Sequence, residues 1–109
     1  MKKQELELME IYVYANHIDG LSSCIIEQNL NNNFYIENFG NFAKNLSSTL
    51  LKKCEKKIKR KKLNTLSFLI LKKEISSFKF YKTSEKNLND LCFLLEKYKY
   101  YENMLSVLN

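Results

Sequence analysis

A chain of 109 residues that is 45% hydrophobic and 13% aromatic has the material for one packed domain, which argues against intrinsic disorder. No run reaches the roughly 18–20 apolar residues of a membrane span, and Lys2-Lys3 followed by Glu5, Glu7 and Glu10 does not read as a signal peptide. The net charge of +6 directs attention to anionic partners, subject to how that charge is distributed.

Gln4 to Ile18 reads as a helix, because Leu8, Ile11, Tyr12, Ala15 and Ile18 recur at helical spacing. A strand from Leu6 to Tyr14 is the competing reading, given the β-formers Ile11 to Tyr14. Asp19-Gly20 is expected to close the segment, glycine supplying left-handed backbone at a helix end. Leu21 to Leu30 then reads as a second short helix capped by Ser22 or Ser23. Asn31-Asn32-Asn33 is a loop, and Phe34 to Glu37 an edge strand or extended connection.

Asn38 to Lys62 carries the longest helical pattern. Phe39, Phe42, Ala43, Leu46, Leu50, Cys54 and Ile58 form its apolar stripe, with Asn38 or Asn41 as the cap. Thr65 to Leu71 and Ile75 to Lys82 read as two strands joined at Lys72-Lys73-Glu74, although that turn lacks glycine. From Thr83 or Ser84 a final helix runs to about Val107, burying Leu88, Leu91, Cys92, Leu95, Tyr98, Tyr101, Leu105 and Leu108. The expected fold class is therefore α+β: a small single domain, 1–109, of two to four helices and a short antiparallel hairpin or sheet. The rival is an all-α bundle in which Leu66 to Tyr81 is a buried helix.

The three cysteines, Cys24, Cys54 and Cys92, are odd in number and widely spaced, so free thiols in a reducing cytoplasm are expected rather than disulfides. His17 is the only histidine, and the only glycines are Gly20 and Gly40. No zinc site of ordinary spacing and no glycine-rich phosphate loop can be written from these residues. Glu7 and Glu10 share a helical face but show no sign of burial, so they read as solvated charge rather than an acid–base pair. The expectation is a protein without cofactor, metal or catalytic residues.

Charge is divided unevenly along the chain. Residues 1–50 hold three basic and six acidic side chains, and residues 51–109 hold 15 basic against 6 acidic. Arg60 is the only arginine and proline and tryptophan are absent, a composition typical of an AT-rich coding sequence, which explains some lysine excess but not its clustering. The cluster is Lys52, Lys53, Lys56, Lys57, Lys59, Arg60, Lys61 and Lys62, opposed locally by Glu55 alone. Several cations along one helix face suit phosphates, whose binding draws mainly on counterion release. In the second expected strand Lys79 and Tyr81 point away from Phe78 and Phe80, and interleaved cations and aromatics suit bases and phosphates.

Two function classes follow. The first is a non-enzymatic binding protein that engages nucleic acid, RNA or DNA, or a nucleoprotein complex, through residues 52–62 with Lys79 and Tyr81. The second is a small protein–protein module, such as a mobile-element-type inhibitor of a nucleic-acid-handling enzyme, whose acidic and basic halves seek complementary surfaces. Neither involves a membrane, and the charge split also permits a homodimer.

Overall fold

The computed structural model describes residues 3–63, 65–76 and 84–108. They form five helices: α1 (Lys3–Glu27), α2 (Phe34–Arg60), α3 (Thr65–Ser76), α4 (Ser84–Leu95) and α5 (Tyr98–Val107). Among the described residues there is no strand. The α+β expectation is overturned, and the architecture is that of the all-helical alternative.

α1 runs straight through Asp19-Gly20, where an end was expected. Gly20 does not adopt positive φ, so it makes no left-handed cap. Ile18, Leu21, Ser22 and Ile25 continue the buried stripe across it. Burying a leucine or isoleucine is worth about 1.5–3 kcal/mol, against roughly 1 kcal/mol for one glycine inside a helix. Burial wins, and the two short helices become one.

The chain reverses through the expected asparagine loop, where Asn32 takes φ 51°. Asn33 caps α2, its Oδ1 accepting from the backbone N–H groups of Tyr35 (3.0 Å) and Ile36 (3.3 Å). Asn29 holds the cap in place, exchanging hydrogen bonds with the Asn33 backbone at 2.9 and 3.0 Å. Phe34 to Glu37, expected as extended chain, is therefore the first turn of α2.

α1 and α2 lie antiparallel. Gly40 faces Ile26, Lys44 reaches Asp19 and Ser23, and Lys61 reaches Gln4. On one flank of this pair α4 and α5 run back along α1. Asn87 meets Gln28, the Tyr14 hydroxyl donates to the Leu94 carbonyl, and Tyr14 stacks on Tyr101 at 3.9 Å. Tyr98 donates across to the Leu46 carbonyl of α2 at 3.1 Å. The single helix expected over 84–107 is broken at Glu96-Lys97, where the Leu94 carbonyl receives both Tyr14 and the Lys97 N–H.

α3 packs on the opposite flank, its Phe68 edge-on to Tyr12 at 5.7 Å. Tyr12 and Tyr14 project about 200° apart around α1, which is why α3 and α5 end up on opposite sides. The expected strand Thr65–Leu71 and turn Lys72-Lys73-Glu74 both lie in this helix. A short apolar run has no period that separates strand from helix, and lysine and glutamate favour helix over turn. Ile75 closes the same helix, and residues 77–82 of the expected second strand lie outside the described residues. α3 is also not the buried helix of the rival reading: Phe68 is buried, whereas Leu66, Leu69 and Ile70 are 62, 60 and 51% exposed.

The core is built around α1, with Leu8, Ile11, Ala15, Ile18 and Ile25 meeting Ala43, Leu50, Cys54 and Ile58 of α2 and Leu91 and Leu105 beyond. Two residues expected in the core are not: Phe42 and Cys92 are exposed. No helix among the described residues is long and apolar enough to cross a membrane.

Candidate nucleic-acid interface

The last turns of α2 carry the basic cluster, and helix geometry divides it. With about 100° per residue, Leu50, Cys54 and Ile58 point to α1 and are buried. Lys52, Lys56 and Lys59 fall on the opposite side, with Lys53 and Arg60 beside them, and all five are exposed. They form a ridge about 12 Å long, from eight residue steps of 1.5 Å between Lys52 and Arg60. Among the described residues, ion pairs join Lys3 to Glu7, Lys44 to Asp19 and Lys99 to Glu102; none engages the ridge. Their position at the C-terminal end of α2 also places positive charge against the negative end of the helix dipole.

Lys57 and Lys61 turn the other way. The Lys57 ammonium donates to the Leu108 carbonyl, and Lys61 donates to Gln4 Oε1 at 2.7 Å. Burial lowers the Lys57 pKa, and the neighbouring Arg60 and Lys61 charges lower it further. Lys57 thus holds α2 to the residue that follows α5 through a partly buried contact, and Lys61 holds it to the start of α1 through a solvent-exposed one. Lys62 is exposed beyond the helix end, at φ 53°. Lys79 and Tyr81, also expected at the site, lie outside the described residues.

Beside the ridge, α2 and α3 border a cleft of about 220 Å³ whose walls include Tyr12, Ile58, Phe68 and Leu69, with Lys59, Lys72 and Glu55 at its rim. Tyr100 is exposed, but beside Glu7 and Glu10 rather than the ridge.

Residues considered for other chemistry are dispersed. His17 is half-buried within α1 rather than at a helix end. Glu7 sits 4.0 Å from Lys3, and Glu10 accepts from the Tyr101 hydroxyl at 3.5 Å. Cys54 is fully enclosed; burial pushes its thiol up to about 12, Glu55 adding to the effect and Lys57 opposing it. Among the described residues no group of three or more His, Cys, Asp or Glu side chains is placed to hold a metal ion.

Sequence reasoning missed the outer face of α2 upstream of the lysines. Phe34, Tyr35 and Phe42 are exposed there. The signal was present, since Tyr35, Phe42, Thr49 and Lys56 are seven residues apart and share a face on any long helix. With a helix start at Asn38, Tyr35 falls outside the helix, and phenylalanine is among the residues most often buried. Comparison with protein-family models, curated proteins and solved structures found no match.

Proposed function

We propose that this is a non-enzymatic binding protein that engages nucleic acid, RNA or DNA, alone or within a nucleoprotein complex, through the outer face of α2. The observation that carries this reading is the division of the basic cluster. Lys52, Lys53, Lys56, Lys59 and Arg60 stand together on solvent, clear of ion pairs among the described residues, while Lys57 and Lys61 are engaged by the Leu108 carbonyl and the Gln4 side chain. Five cations on one ridge attract a polyanion mainly by releasing its counterions, with little sequence preference. Its three free cysteines suit the reducing cytoplasm, where we place it.

The test is fluorescence anisotropy on duplex DNA across a salt series. Five phosphate contacts give a log–log slope of about −4 to −5. Changing Lys52, Lys53, Lys56, Lys59 and Arg60 to alanine should flatten it, whereas changing Lys57 and Lys61 should leave it unaltered. No binding of the wild type at low salt overturns the proposal. The remaining reading is then a protein–protein module, favoured by the exposed Leu66, Leu69 and Ile70 on α3 beside the α2–α3 cleft.

A further inference from the structure

The outward face of α2 is longer than its basic ridge. On a helix, positions seven apart stay within about 20° of one another and advance about 10.5 Å. One such row is Tyr35, Phe42, Thr49 and Lys56; the adjacent row is Asn38, Asn45, Lys52 and Lys59. All eight side chains are exposed. The face therefore changes character along its length: aromatic and amide near the N-terminal end, hydroxyl at Thr49, cationic from Lys52 onward. Tyr35 is 82% and Phe42 57% exposed, and Phe34 braces the Tyr35 ring edge-on at 6.0 Å.

Two exposed aromatic rings in line with a row of cations serve no purpose in packing α2, whose buried side is occupied by Gly40, Ala43, Ser47, Leu50, Cys54 and Ile58. They do match a polyanion whose bases are free to stack. A duplex keeps its bases inside and offers this face only phosphates, so it would use the ridge and leave the rings idle. A single strand offers both: phosphates for Lys52, Lys56 and Lys59, and unpaired bases for Phe42 and Tyr35. Phe42 lies about 15 Å along the helix from Lys52, a distance that two to three extended nucleotides bridge. The intervening Asn45 and Thr49 side chains supply hydrogen-bonding groups for sugar and base edges.

We infer that the outer face of α2 is a track for single-stranded nucleic acid, with the backbone on the lysine ridge and bases stacked on Phe42 and Tyr35. This rests on the proposed nucleic-acid function and names its substrate class.

The sequence contains no tryptophan, so Phe42→Trp introduces a single indole reporter at the proposed stacking site. Anisotropy would be measured with a 12-nucleotide oligo-thymidine and with a 12-base-pair duplex, for wild type, Phe42→Ala/Tyr35→Ala and Lys52→Ala/Lys56→Ala/Lys59→Ala, with helicity checked by circular dichroism. The expected result is about a 10-fold or greater loss of single-strand affinity in the aromatic variant, with duplex affinity and salt slope unchanged. The indole introduced by Phe42→Trp should be quenched by the single strand and not by the duplex. If the lysine variant loses binding but the aromatic variant binds both oligomers like wild type and the indole is unquenched, this inference is overturned and the ridge proposal stands. An equal loss on both oligomers also overturns it. If wild type binds neither oligomer, both readings fall.

Discussion

At Gly40 the backbones of α1 and α2 approach so closely that a β-carbon added there would lie 2.8 Å from Ile26 Cγ1 and 3.6 Å from the Ser22 carbonyl oxygen. Two effects of Gly40→Ala oppose each other. Alanine favours helix over glycine by about 1 kcal/mol, while inserting a methyl into a filled contact costs about 1–3 kcal/mol. The atom it meets belongs to a β-branched side chain with few rotamers and is not its mobile tip, so the steric cost wins. We expect Gly40→Ala to lower the urea-unfolding free energy by about 1 kcal/mol despite its better helix propensity. A stabilised variant would show that Ile26 yields freely. Nothing in the sequence marks this glycine as a contact point, because the atom it must avoid is fourteen residues away and arrives only when the helices pair.

Element boundaries turned on side chains that reach beyond their own helix. Asn33 caps α2, and Asn33→Ala should cost about 1 kcal/mol in chemical denaturation. Asn38→Ala and Asn41→Ala, at exposed positions inside α2, should stay within about 0.5 kcal/mol of wild type. The reverse order would relocate the helix start. The existence of helices along most of the chain was legible from the spacing of Leu8 to Ile18 and Ala43 to Ile58. Their ends were less so, since several asparagines compete for one cap. The strand expected over Thr65–Leu71 differs from α3 because Leu66 to Leu71 is apolar at nearly every position, which leaves strand and helix undivided, and in the fold Phe68 packs on Tyr12. The break between α4 and α5 depends on Tyr14, eighty residues from the carbonyl it occupies.

For the molecule as a whole, burial of acidic protons around α1 predicts alkaline instability. Burial raises Tyr12, Tyr14, Tyr98 and Tyr101 above the ordinary tyrosine value of 10.0, and raises Cys54 from 9.0 to about 12. Below about pH 8 folded and unfolded chains both keep these protons and stability is unaffected. As pH rises further the unfolded chain ionises first, so stability falls, by up to about 1.4 kcal/mol per pH unit for Cys54 and less for the more solvated tyrosines. Lys57, whose pKa is lowered in the fold, acts in the opposite sense but is a single amine near the surface. Urea unfolding should therefore be level from pH 7 to 8 and clearly weakened by pH 10.5; a level profile to pH 11 would contradict this burial. The sequence by itself determined the helical stripes and the concentration of cations over residues 52–62, because periodicity and charge are properties of the chain read in order. Only the tertiary structure decided which of those cations face solvent, that α3 is a helix with an exposed apolar side, and that Phe42 stands outside the core with the lysines. Exposure depends on which faces the neighbouring elements cover: α1 packs along the buried stripe of α2, Lys57 is engaged by the Leu108 carbonyl, and Lys52, Lys53, Lys56, Lys59 and Arg60 stand on the side left open.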